Sequence, residues 1–165
     1  MIPINPKIDL INKRYNYLIM ETDAAYHDAS VKLGLSDSVS IILYTLCNHD
    51  GKCLLSDICR LAGIKKQTLN SALRKMETEK IVYLKAADAL RKMETEKIVY
   101  LKAADGKKKY VCLTEKGQML SENTVLKLIG IENEILEDWT EEERELYVLL
   151  AEKYLKSLKE KIKKL

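Results

Sequence analysis

Residues 54–77 read "LLSDICRLAGIKKQTLNSALRKME", and this run decides the fold. Ile58 and Leu61 recur at helical spacing, Gly63 breaks the pattern, and Leu69, Ala72, Leu73 and Met76 resume it. Such a run predicts two short helices joined by a tight turn. Gly63 supplies a backbone position open to positive φ, and Ile64 plugs the space between the helices. Ser56 is the expected cap of the first helix, "DICRLA". The second helix turns Gln67, Thr68, Asn70, Ser71, Arg74 and Lys75 away from its apolar side. That face mixes amides and hydroxyls able to read base edges with cations able to hold phosphate. Lys65 and Lys66 stand at its positive, anion-attracting end. The arrangement is that of a helix-turn-helix, although a helical hairpin with a solvated face has the same pattern.

The residues that follow favour DNA. "IVYLKAADGKKKYVCLTEKG" (98–117) reads as a β-hairpin: a β-prone run, an Asp105–Gly106 turn signal, and a returning "KYVCLT". Lys107, Lys108 and Lys109 lie just past the turn, where a wing meets DNA backbone. Charge agrees. Residues 60–110 hold 14 Lys and Arg against 6 Asp and Glu, a net of +8, within a chain of net +3. A basic middle on an acidic frame suits a polyanion.

Outward from this core the reading is helical. Asn5 before Pro6 opens a first helix of about 27 residues, which Gly34 ends. Ser36 caps a second with Val39, Ile42, Leu43 and Leu46 inward, and "KCLL" suggests a short strand. Two C-terminal helices are expected, after Thr114 and after Trp139. Leu120, Val125, Leu128, Ile131 and Ile135 form one stripe of the former. Thr140 and Glu143 make a capping box, and Leu146, Leu149, Leu150, Tyr154 and Leu158 make an apolar face for the latter. Ile11, Tyr15 and Leu18 of the first helix are candidate partners in a helical dimer interface.

At 165 residues the chain is expected to be a single domain, with 47% apolar and 32% charged residues arguing for a folded protein. The longest apolar runs, near "IILYTL", are far short of a membrane span, and the N-terminus is too charged for a signal peptide. A cytoplasmic protein with no membrane partner is expected. Cys47, Cys53, Cys59 and Cys112 show no metal-ligand spacing, and neither does His27 or His49. No nucleophile–base pair or phosphate-cradling glycine loop appears, so no enzyme, cofactor or metal is expected. Two other readings stay open: a dimeric ligand-binding or interaction protein with impaired DNA binding, and a cysteine-based redox sensor, testable through Cys59→Ser.

The run 54–84 followed by "DGKKKYVCLTEKGQML" resembles the winged helix of the MarR family of bacterial transcriptional regulators, most specifically in "LTEKG". The resemblance implies a mainly α fold with a small β-hairpin wing (α+β). Residues 36–114 would be the winged helix-turn-helix, flanked by dimerisation helices in 1–34 and 115–165. It also implies a homodimer on a pseudo-palindromic operator in double-stranded DNA, with a small-molecule effector as a further partner. Two departures stand out. Lys65 replaces a small hydroxyl cap, and the wing carries lysines in place of the arginine suited to a narrow minor groove.

One feature is foreign to any winged helix. Residues 72–88, "ALRKMETEKIVYLKAAD", recur letter for letter as 89–105. The first copy must finish the helix begun by "QTLNS". The second is expected to supply the wing strand, because it joins "GKKKYVCLT" directly. Two arrangements follow: residues 81–85 irregular or a strand, with an extra helix at 89–97 capped by Asp88, or one continuous helix from Gln67 to about Lys97. The surplus is expected to displace the wing from the recognition helix and to weaken specific DNA binding.

Overall fold

The computed structural model describes residues 5–86 and 109–164. The chain divides into two compact units, Met1–Leu126 and Lys127–Leu165.

In the first unit, α1 spans Pro6–Lys32, with the Asn5 side chain accepting from the Lys7 amide and Pro6 in the first turn. Gly34, at φ +69°, lies two residues past its end. Helix α2 (Asp37–Cys47) is capped by Ser36 and buries Val39, Ile42, Leu43 and Leu46. Strand β1 (Lys52–Leu54) runs straight into α3 (Leu55–Ala62). The cap position of α3 is therefore Leu54, with no side-chain hydrogen bond, and not Ser56. The strand hands its backbone directly to the helix, which takes Ser56 into the first turn. Gly63 then adopts φ +62°, and α4 (Lys66–Thr78) begins at Lys66 as the turn predicts.

Ile58 of α3 and Leu69, Leu73 and Met76 of α4 close over Ile42, Leu43 and Leu46 of α2, all of them 0–2% exposed. Ile64 and Ala72 pack at the edge of this cluster. Burying each of the large side chains contributes on the order of 1.5–3 kcal/mol, so this cluster fixes the angle between the helices.

The sheet has the order β1–β3–β2, both pairs antiparallel. Strand β3 (Lys109–Leu113) is central, and β2 is Val82–Ala86. Tyr83 lies opposite Cys112, and Leu84 opposite Val111. The wing strand thus comes from the first copy of the repeat, contrary to the expectation that the second supplies it. The reason is local. Helix α4 stops at Thr78, Lys80 takes φ +59°, and Ile81 donates its amide to the Met76 carbonyl at 2.8 Å. That turn aims Val82 into the sheet at once, which also rules out the continuous helix. The expected extra helix at 89–97 and the Asp105–Gly106 turn lie outside the described residues.

Helix α5 (Glu115–Asn123) starts from a Thr114 cap. The stripe expected from Leu120 to Ile135 is interrupted: Thr124, at φ −130° and ψ −96°, breaks the path between α5 and α6 (Val125–Glu137). Its hydroxyl bonds back to the Leu120 carbonyl at 2.6 Å, a local alternative that serine and threonine offer the helix backbone.

In the second unit, which takes in most of α6, α7 spans Glu141–Ile162 and opens with the predicted box. Glu143 accepts from the Thr140 amide at 2.9 Å, and the Thr140 hydroxyl accepts from the Glu143 amide at 3.2 Å. Arg144 reaches back to the carbonyls of Leu136 and Trp139, at 3.0 and 2.9 Å, and closes the end of α6.

Between β2 and β3 lie 22 residues, 87–108, against five without the surplus seventeen. Closing a longer connection costs more, here by about 1 kcal/mol. Deleting residues 89–105 leaves the sequence of every described element unchanged. The shortened chain is expected to gain about 1 kcal/mol in stability, read from urea unfolding midpoints with an unchanged m-value.

Candidate nucleic-acid interface

Helix α4 carries the candidate surface. Its apolar side is fixed by Leu69, Leu73 and Met76, so the opposite side has to face outward. Lys65, Lys66, Gln67, Thr68, Ser71, Arg74 and Lys75 are all exposed, while Asn70 is half-buried at the flank of the face. Positions 67, 71 and 74 and positions 68, 71 and 75 repeat every three to four residues, which gathers them on one side of the helix.

The chemistry of this face is open for use. Ser71 donates its hydroxyl to the Gln67 carbonyl at 3.1 Å, which leaves its oxygen free to accept. Among the described residues, the side chains of Gln67, Thr68 and Arg74 make no hydrogen bond or ion pair. Lys75 stands 4.0 Å from Glu79, an exposed pair worth little in water. Arg60 of α3 is engaged by Asp57 at 3.3 Å. Among the described residues, Lys65 and Lys66 at the start of α4 have no carboxylate at contact distance.

Lys65 occupies the cap position with φ −61° and ψ 138° and makes no side-chain cap. The first amides of α4 are thus left to solvent or to an anion. Lys109 opens β3 and is exposed. Lys107 and Lys108 lie outside the described residues. On edge strand β1, the Lys52 ammonium sits 5.6 Å from the centre of the Tyr110 ring, which holds one more cation on the sheet.

Sequence reasoning missed the residues that hold this face in place. Thr114 donates its hydroxyl to the carbonyls of Lys80 and Ile81, at 2.5 and 3.1 Å, and Lys116 donates to the Glu79 carbonyl at 2.8 Å. A Cβ at Gly117 would overlap the Ile81 carbonyl oxygen. The motif "LTEKG" stood out, but its partners lie more than thirty residues away, where no local pattern points.

The cysteines are all free, with Cys53 and Cys112 buried. Burial pushes the Cys47 and Cys53 thiols above their ordinary range, against a lowering hydrogen bond from Ser121 at Cys47. Less thiolate means less reactivity toward oxidant, which weighs against a sensor at these two sites. Among the described residues no group of His, Cys, Asp or Glu could hold a metal ion, and no single helix is long and apolar enough to cross a membrane.

Residues 33–92 match the model of the MarR family, over α2, the helix-turn-helix and the first wing strand. Among solved structures, AbsC, a MarR family transcriptional regulator from Streptomyces coelicolor, aligns with 14% identity and a TM-score of 0.67, covering 100% of both chains. The S. aureus MepR–DNA complex aligns with 25% identity and a TM-score of 0.59, covering 87% of this chain and 97% of MepR. Bordetella bronchiseptica BpsR, whose DNA binding is regulated by 6-hydroxynicotinic acid, aligns with 19% identity and a TM-score of 0.58, covering 88% and 98%. Comparison with curated protein sequences gives no match.

Replacing Lys65 by serine supplies the missing cap. Lys65→Ser is expected to raise stability by about 1 kcal/mol in urea unfolding, while removing one cation from the start of α4.

Proposed function

We propose that this chain, whose winged helix is that of the MarR family, is a sequence-specific regulator of transcription that binds double-stranded DNA as a homodimer and catalyses no reaction. The observation that carries this reading is the outward face of α4. There, amide, hydroxyl and guanidinium groups with no partner among the described residues project from a helix anchored by an apolar core. Lys65 and Lys66 suit phosphate at the helix start, and Gln67, Thr68, Ser71 and Arg74 suit base edges in a major groove. Lys75 and Lys109 add backbone contacts, and by sequence order so do Lys107 and Lys108. With lysine as the main cation, a large share of affinity is salt-dependent.

The dimer reading is supported by apolar side chains left exposed in each of the two units. Ile8, Ile11 and Leu18 of α1 are exposed, and so are Leu146, Leu149, Leu150 and Leu158 of α7. Among described residues, α7 buries none of its side chains. Helical stripes of this extent need a cover, and a two-fold copy of the same chain is the commonest one. Two such subunits present two α4 helices to successive major grooves, which predicts a pseudo-palindromic site. Response to a small-molecule effector is proposed by likeness to BpsR, whose ligand is 6-hydroxynicotinic acid.

The surplus repeat bears on this reading at one place. The α4–β2 turn is intact, so the wing is not displaced from the recognition helix there. The extra length falls between the wing strands, ahead of Lys107–Lys109.

Selection of bound duplexes from a random pool tests the proposal. Enrichment of two half-sites about one helical turn apart is expected, and no enrichment at any salt concentration would contradict it. On the selected duplex, Arg74→Ala is expected to weaken binding roughly tenfold, and Lys66→Ala to lower the slope of log K against log salt by about 1.

A further inference from the structure

We infer that Thr114 and Lys116 are positioning residues for DNA recognition: they lock the C-terminal end of α4 to the exit of the wing and so set the angle at which α4 meets DNA. This rests on the DNA-binding reading above and deepens it.

The end of α4 needs partners. The carbonyls of Lys75, Met76 and Glu77 are taken by the amides of Glu79, Ile81 and Lys80, and the carbonyls that follow, from Glu79 to Ile81, need partners from elsewhere in the fold. Here the chain also turns through Lys80 at φ +59°, a left-handed conformation unfavourable for a non-glycine residue. Such a conformation persists where neighbours fix it. The neighbours are a single short segment. Lys116 Nζ donates to the Glu79 carbonyl at 2.8 Å. The Thr114 hydroxyl faces the carbonyls of Lys80 and Ile81, and the Thr114 amide donates to Ile81 at 3.1 Å. Three successive carbonyls are thus held by residues 114–116. The same hydroxyl accepts from the Gly117 amide at 3.0 Å, so one oxygen also starts α5. The ammonium of Lys116 and the amino-terminal end of α5 both complement the negative end of α4. Gly117 has no Cβ, and that lets α5 come this close to the Ile81 carbonyl.

Leverage makes this a matter of specificity. Helix α4 has 13 residues and is about 20 Å long. A rotation of about 5° at its clamped end moves the other end by about 1.7 Å, more than the distance tolerance of a hydrogen bond. The residues displaced are Lys66, Gln67 and Thr68. Phosphate contacts made by flexible lysines survive such a shift, whereas base-edge hydrogen bonds do not. Loosening the clamp therefore costs discrimination before it costs general affinity.

The test compares wild type, Thr114→Val, Thr114→Ser and Lys116→Met, the last keeping the apolar stem without the donor. Two quantities are read: amide hydrogen exchange at Ile81 and Val82, and the ratio of Kd for random duplex to Kd for the selected duplex at one salt concentration. Thr114→Val is expected to speed exchange and to cut the ratio at least tenfold, with random-duplex affinity within twofold of wild type. Lys116→Met shifts both in the same direction, and Thr114→Ser restores both. An unchanged ratio in Thr114→Val overturns the inference. So does a loss of affinity equal for both duplexes, which marks a purely structural role. A wild-type ratio of one overturns the DNA-binding reading and the specificity role with it. Exchange then separates the two failures, since faster exchange in Thr114→Val still upholds the clamp and unchanged exchange removes it.

Discussion

The backbone carbonyl of Ile81 occupies the space where residue 117 would carry a side chain, and the rest of the winged helix is arranged around that contact. It joins three things at one point: the end of α4, the start of β2, and the first turn of α5. On one side the apolar cluster of Leu69, Leu73 and Met76 fixes α4 against α2. On the other, β2 is stitched to the central strand from Val82 to Ala86. With both sides anchored, the junction has little freedom, and the outward face of α4 inherits its direction from it. A polar surface that binds a partner gains from such preorganisation, because each group immobilised in advance loses less entropy on binding.

Much of this was legible locally. Asn5–Pro6, Ser36 and the Thr140–Glu143 box mark helix starts by chemistry confined to four residues, and each stands where its pattern placed it. The same holds for the turn at Gly63. The outward residues of α4 followed from the inward ones by periodicity alone. What failed depended on neighbours. Ser56 was displaced from its cap because β1 runs into α3 without a gap. Thr124 broke the stripe between Leu120 and Val125, where its apolar spacing widens to five residues.

The repeat shows the limit most clearly. Two identical segments have identical propensities, so no property of the letters distinguishes which of them becomes the wing strand. The choice rests on connectivity. The first copy emerges from α4 beside the sheet, and its Lys80 and Ile81 carbonyls meet Thr114. One unit thus supplies both the end of α4 and the first strand of the wing. The matched family region likewise extends only four residues into the second copy.

Disulfide trapping against Cys112 tests this account most directly. Tyr83 lies opposite Cys112 in the sheet, and directly opposed strand residues fall within the Cα separation a disulfide accepts. Under mild oxidation, with the linked peptides identified by mass spectrometry, Tyr83→Cys is predicted to join Cys112 in most of the protein, and Tyr100→Cys, the same position in the second copy, is not. Efficient linkage of Cys112 to position 100, with none to position 83, would contradict the account and move the wing strand to the second copy.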